Sequence, residues 1–321
     1  MMRSIRLHAS NDLRQHVEPE PEASTGETLV RVKAVGICGS DLHWVAEGGI
    51  GDADLKKPLI LGHEFAGVIS SGARQGERVA IDPAITCHRC EFCLQGKPNL
   101  CENIRFAGHA MEDGGLREYI AWPEECLIPL PEHLSFADGA MLEPLGVAIH
   151  AIDLASLQPG MSVGVFGCGP IGLLVLQVAR LAGAVQVYAS EPLPHRLNMA
   201  RTLGAAEWKP GTMVDLAFEA AGDDDAVNAA LTSTRPGGRV LLIGIPSNDR
   251  TCFTATVARH KELTIQLLHR MKFTYPRAIQ MVESGKVDVR SLVSHKFPLE
   301  RTVEAFRLAQ RREGLKIIVE C

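Results

Sequence analysis

Cys38, His63 and Glu64 lie in one stretch, Gly36 to Gly67, that opens Gly36-Ile37-Cys38-Gly39-Ser40-Asp41-Leu42-His43 and closes Leu61-Gly62-His63-Glu64-Phe65-Ala66-Gly67. A thiolate, an imidazole and a carboxylate are the donors Zn²⁺ accepts, and a catalytic zinc keeps three protein ligands with a fourth position open to water or substrate. Ser40, Asp41 and His43 add a hydroxyl, a second carboxylate and a second imidazole nearby. Taken singly, each has an ordinary reading: Cys38 as a small buried side chain, His63 as a core histidine, Glu64 as a surface charge. Together they favour a metal centre.

A second cluster is Cys87-His88-Arg89-Cys90-Glu91-Phe92-Cys93, with Cys101 eight positions on. Tandem C-x₂-C steps turn successive thiolates to one point, and Gly96 and Pro98 bring the chain back for the fourth. Four sulfurs leave no open position, so this zinc is structural. Disulfides do not suit an intracellular chain. An iron–sulfur cluster would need a nearer fourth cysteine followed by proline. His88 is an alternative ligand, but the thiolates are better spaced.

The third element is Gly167-Cys168-Gly169-Pro170-Ile171-Gly172. Met161 to Phe166 precedes it as a buried strand, Leu173 to Ala182 follows as an apolar-faced helix, and Val185 to Ser190 is the next strand. Glu191 stands at the end of that strand. G-x-G-x-x-G in strand–turn–helix–strand context is a dinucleotide fingerprint: glycines admit the pyrophosphate to the helix N-terminus, and the acid takes the adenosine ribose hydroxyls. A carboxylate there repels a 2′-phosphate, which favours NAD over NADP.

The composition fits these sites. The chain has 321 residues, 46% hydrophobic and 22% charged, a length that suits two domains. A net charge of −5 with scattered lysines and arginines offers no footprint for nucleic acid or an anionic membrane. No apolar run is long enough to span a bilayer. Residues Met1 to Arg6 lack the apolar core of a signal peptide, and nine cysteines without an export signal indicate metal or free thiols, so the cytoplasm is the default.

The first part of the chain must position the donors with β-structure. Ile5–Ala9 and Thr28–Val35 alternate, and Phe65–Ile69 and Arg78–Ile81 look like further strands between glycine and proline turns. From Phe136 the pattern turns helical. Glu143 in an apolar helical run is either exposed or has a cationic partner; His150 reads as a core histidine. Val214–Glu219 and Arg239–Gly244 look like strands with a helix, 225–234, between them, and Leu263–Leu268 like a further strand. This alternation predicts a doubly wound parallel sheet. Helices are expected at 275–284 and 299–310, and a closing strand at 316–320.

GICGSDLHW (36–44), GHEFAG (62–67), CHRCEFC with Cys101, EPLGVAIHA (143–151), GCGPIG (167–172) and GKVDVRSLVSHKFPLERTVEAF (285–306) resemble the medium-chain zinc alcohol dehydrogenase superfamily, within it the sorbitol/polyol dehydrogenase branch. The resemblance implies an α/β protein: a GroES-like β-rich catalytic domain, residues 1–146 and 271–321 with a structural zinc lobe at 84–103, and a Rossmann NAD-binding domain at 147–270. It implies two zinc ions per chain, NAD, a small-molecule alcohol substrate and a homotetramer or homodimer. Cys38 and His63 match the first two catalytic-zinc ligands. Glu64 matches the third ligand of polyol-type members, while Glu143 falls where other members place a cysteine; one binds directly and the other through water. Asp41 matches the residue that fixes the His63 ring, and Ser40 and His43 match the relay that carries the substrate proton to solvent. Arg196 joins Gly167, Gly169, Pro170, Ile171, Gly172 and Glu191 as a cofactor contact. Arg270 and Glu143 fall at substrate positions, though His269, Met271 and Lys272 depart from the usual aromatic pattern. Arg270 with Lys272 also suits a sugar acid or sugar phosphate, and a surface ion pair is a further role for Arg270.

One departure is physical. Only Ala205 to Val214 lie between Gly204 and Asp215, where the family fits a strand and a helix. Crossing two strands takes about 15 Å at about 4.8 Å per strand. About five extended residues, at about 3.3 Å each, reach that far. A bare loop with a vestigial third strand is expected, on a less covered sheet with a weaker hold on adenine. The expected function is an NAD- and zinc-dependent oxidation of a polyol or related alcohol. A zinc-free reductase is opposed by the intact Cys38, His63 and Glu64, and a non-catalytic NAD-binding or redox-sensing protein is favoured only by the trimmed crossover.

Overall fold

The computed structural model describes residues 1–321, which separate into two compact units: Met1–Glu143 with Val289–Cys321, and Pro144–Asp288. The first unit resumes at Val289, and the helix Tyr275–Glu283 lies in the second unit.

The first unit is built on a seven-stranded sheet. Its central strand, Glu27–Gly36, alternates as its sequence predicts: Val30, Val32 and Ala34 are buried while Arg31 is exposed. Glu64–Ile69 pairs with one edge of it antiparallel; Lys316–Glu320 and Tyr119–Pro123 also pair with it. Chain-distant segments therefore meet on one strand. Trp44, Phe65, Trp122 and Phe306 fill the core beneath. Full burial of each such side chain contributes about 1.5–3 kcal/mol.

The second unit carries a six-stranded parallel sheet in the order Ala206–Glu207, Gln186–Ser190, Ser162–Phe166, Val214–Glu219, Thr234–Leu242, Thr264–Leu267. The order reverses between Ser162–Phe166 and Val214–Glu219, the switch point where such sheets bind ligands. Ser162–Phe166 is buried throughout, as a central parallel strand requires. The edge strand Ala206–Glu207 has two residues, and the chain runs on to Val214 with no helix, as the short spacing predicts. Trp208 partly replaces what is missing. Its backbone N–H donates to Ala189 O at 2.8 Å, and its ring meets Phe166 edge-on at 5.7 Å. No helix is long and apolar enough to cross a membrane.

Candidate active site and metal centres

Gly36 closes the central strand, and only glycine fits there because a Cβ would collide with the Glu64 carboxylate. The chain turns at Cys38, in extended backbone, into the helix Gly39–Glu47. Asp41 in its first turn is buried and accepts the Cys38 N–H at 2.9 Å and the Gly62 N–H at 3.2 Å. Its carboxylate thus ties the helix start to the loop that carries His63. The same side chain lies 3.5 Å from His63 Nδ1, and Ser40 Oγ lies 3.5 Å from His63 Nε2. The imidazole is oriented on one side and faces a hydroxyl on the other.

Donor atoms of Cys38, His63 and Glu64 all lie within 4.8 Å of one another. Burial works against a charged His63, but Asp41 and Cys38 outweigh it and raise its pKa well above the ordinary value. A thiol, an imidazole and a carboxylate brought this close together suit a cation, which is the fit expected of a zinc site. Glu143 is buried too, and stands outside this set of three donors. Burial pushes its carboxyl up to about 8 and Glu64 adds to the rise, while His63 and Lys316 oppose it.

Cys87, Cys90, Cys93 and Cys101 form the other group, their sulfurs within the same 4.8 Å. Backbone N–H groups of Arg89 and Cys90 hold the Cys87 thiol down to about 6. Amides aimed at sulfur favour thiolate, the form that binds metal. His88 points elsewhere, to Glu125 at 2.8 Å, and is no substitute ligand. His150 is buried, and burial lowers its pKa, as for a core histidine.

In the second unit, Gly167 turns in left-handed backbone (φ 97°), and a side chain on Gly172 would strike the Gly167 carbonyl. Pro170 and Ile171 start the helix Pro170–Leu181 after Gly169. Glu191 Oε2 accepts the Cys168 N–H at 2.7 Å and its Oε1 accepts the Leu193 N–H at 3.0 Å, which brings the acid against the glycine turn. Arg196, on the helix Pro194–Thr202, reaches towards Gly169. Arg270 lies in left-handed backbone (φ 58°), uncommon for a residue with a side chain.

Residues 24–132 match the alcohol dehydrogenase GroES-like domain, and residues 170–284 match the zinc-binding dehydrogenase domain. Sorbitol dehydrogenase of Bacillus subtilis (strain 168) is 35% identical, over 99% of this chain and 97% of its own length. The chain belongs to the medium-chain zinc-dependent alcohol dehydrogenase superfamily. Among solved structures, L-idonate 5-dehydrogenase from Escherichia coli superposes with a TM-score of 0.93 at 28% identity, covering 100% of this chain and 98% of that one. A short chain alcohol dehydrogenase from E. coli CFT073, complexed with NADH, superposes with a TM-score of 0.91 at 28% identity, covering 100% and 99%.

Within this superfamily frame, two site residues escaped the sequence reading. Lys316 is buried and donates to both Glu64 oxygens, at 2.7 and 2.5 Å, and to Ile37 O at 3.1 Å. Burial lowers its pKa, but Glu64 and Cys38 outweigh that and raise it. The available signal was a lysine heading the apolar run Ile317-Ile318-Val319, where burial would demand a carboxylate partner. Glu47, four residues after His43, is the other; its Oε1 lies 2.9 Å from His43 Nδ1.

Proposed function

We propose that this chain oxidises a secondary alcohol of a polyol or sugar-derived substrate, with NAD as the hydride acceptor. The observation that carries the reading is the convergence of Cys38, His63 and Glu64 beside the Ser40 hydroxyl. Cys38, His63 and Glu64 would hold a catalytic zinc; Cys87, Cys90, Cys93 and Cys101 a structural one. When bound, zinc supplies Lewis acidity that lowers the pKa of a substrate hydroxyl, and NAD at the glycine turn supplies the hydride acceptor.

Asp41 keeps the His63 ring oriented, so that Nε2 stays turned towards Ser40. Ser40 Oγ is the base-side partner for the substrate hydroxyl proton, and His43 the next acceptor towards solvent. Lys316 balances the negative charge that Glu64 brings into the buried site, and Glu143 is the candidate for a water-mediated contact or a hydrogen bond to substrate. Glu191 has acceptor capacity left for ribose hydroxyls beyond its two backbone bonds, and Arg196 would face the cofactor phosphates.

A second reading, a sugar acid or sugar phosphate as substrate, draws on Arg270 with Lys272 and on the likeness to an L-idonate 5-dehydrogenase. A homodimer or homotetramer in the cytoplasm is expected by analogy with the family. The test is metal analysis of the purified protein together with a screen of polyols, sugar acids and sugar phosphates, following the absorbance of reduced NAD. Two zinc ions per chain and turnover of a polyol support the proposal. One zinc per chain with no turnover of any alcohol overturns it.

A further inference from the structure

Ser40, His43 and Glu47 fall at i, i+3 and i+7 of the helix Gly39–Glu47, which puts them on one stripe of its surface. The stripe begins at the metal-ligand set, where Ser40 Oγ meets His63 Nε2, and runs outward. The His43 side chain is 19% exposed and the Glu47 side chain 41%. Exposure therefore rises from the interior end to the solvent end.

Glu47 is the last residue of the helix, before Gly48 in left-handed backbone. A carboxylate there meets the negative end of the helix dipole, at a cost of about 0.3–1 kcal/mol. An acid placed C-terminal to its basic partner is also the weaker order for an i,i+4 pair. Helix electrostatics thus give no reason for an acid at this position. The His43 Nδ1 at 2.9 Å does.

We propose that Glu47 is a positioning residue for proton release: it accepts the Nδ1–H of His43, which leaves the Nε2 lone pair free for the outgoing proton, and it stabilises the imidazolium that results. The inference rests on the reading of Ser40 and His43 as the proton route. In the step, the proton that Ser40 Oγ has taken from the substrate hydroxyl leaves that route as its bond to oxygen breaks and a bond to His43 Nε2 forms, while the Nδ1–H stays in place. The Nε2–H bond then breaks to solvent water and restores the starting tautomer. Glu47 remains ionised throughout, as the carboxylate does beside the histidine of a hydrolase triad.

The test uses the zinc-loaded full chain. Ring nitrogen shifts of ¹⁵N-labelled histidine report the tautomer of His43, assigned by the signal lost in His43→Gln. Wild type is expected as the Nδ1–H form. Glu47→Gln keeps an oxygen acceptor and retains that form. Glu47→Leu keeps the helix and shifts His43 towards the Nε2–H form that free imidazoles favour. In parallel, kcat should fall about tenfold in Glu47→Leu with KM within about twofold, the scale of losing an orienting partner, and the solvent deuterium isotope effect on kcat should grow. A wild-type His43 in the Nε2–H form, an unchanged tautomer in Glu47→Leu, or an unchanged kcat in that variant overturns the proposal. Because the tautomer is read without substrate, failure of that contact is distinguishable from failure of the functional reading, in which no alcohol is oxidised although His43 behaves as expected.

Discussion

The two metal-ligand groups solve one chemical problem by opposite means. The tetrathiolate takes all its donors from residues 87–101, and backbone amides turn its sulfurs inward. The Cys38–His63–Glu64 group takes three kinds of donor from a strand–helix junction, a loop and a strand, and its Lys316 partner from 252 residues beyond Glu64. The first is saturated by its own sulfurs. The second is surrounded by extra charge: Asp41, Glu143 and Lys316 are all buried around it. Four like donors fix a fold; three unlike donors with charged neighbours leave a position for chemistry and control its electrostatics.

Removing one sulfur from each group is the sharpest contrast. Cys38→Ser should take turnover below detection while the thermal unfolding profile stays near wild type, because the seven-stranded sheet does not depend on that ligand. Cys93→Ser should do the reverse first. Structural zinc sites contribute about 10–16 kcal/mol of apparent binding energy, so residues 84–103 should become protease-sensitive and lose zinc before the rest unfolds. Wild-type turnover in Cys38→Ser would end the catalytic reading of the group. A protease-resistant, zinc-replete Cys93→Ser would end the structural reading of the other.

The charged surroundings give the next test. Lys316→Met strands a buried carboxylate and leaves the Ile37 carbonyl without this donor. Breaking a buried pair from one side costs about 3–5 kcal/mol. Chemical denaturation should show that loss, and the double variant Lys316→Met/Glu64→Gln should recover part of it. His88→Gln is the matched control beside the tetrathiolate: its pair with Glu125 is exposed, at 64% and 57%, and its loss should not register. Equal effects of the two substitutions would mean that the charge around the second group is incidental.

What could be read from the chain follows the same division. The tetrathiolate, the glycine turn and the short crossover are local, so spacing alone specifies them. The three unlike donors are also near in sequence, and the pairing of Glu27–Gly36 with Glu64–Ile69 brings them together. Lys316 was not legible as a partner, since its place depends on the closing strand Lys316–Glu320 pairing with Glu27–Gly36. Periodicity marks that strand as buried but does not say beside which residue. The unit to which the helix Tyr275–Glu283 belongs is likewise not written in its own apolar face, because its buried residues Tyr275, Ala278 and Val282 mark a covered side without naming what covers it. Trp208 reads as any aromatic in a loop until the missing helix shows what it covers.

Between the two groups stands Asp82, which follows the strand Arg78–Ile81 and leads into the tetrathiolate segment. It is partly buried; its Oδ1 accepts the Ala84 N–H at 3.0 Å and its carbonyl accepts the Trp122 indole N–H at 2.9 Å. Burial raises its carboxyl from 3.8 to about 6, more than the Ala84 bond can offset. An acid whose folded pKa lies above its unfolded pKa binds its proton more tightly in the folded state. Its favourable contribution is complete below about pH 4 and is lost as pH rises through about 6. At pH 8 the ionised Asp82 therefore destabilises the fold, by about 1–3 kcal/mol at about 1.4 kcal/mol per pKa unit. Asp82→Asn keeps an oxygen for Ala84 and removes the charge. It should stabilise the protein at pH 8 by up to that amount, with the advantage shrinking towards pH 5, as read by urea denaturation at the two pH values. An advantage that is the same at both would assign the effect to packing rather than to the buried charge.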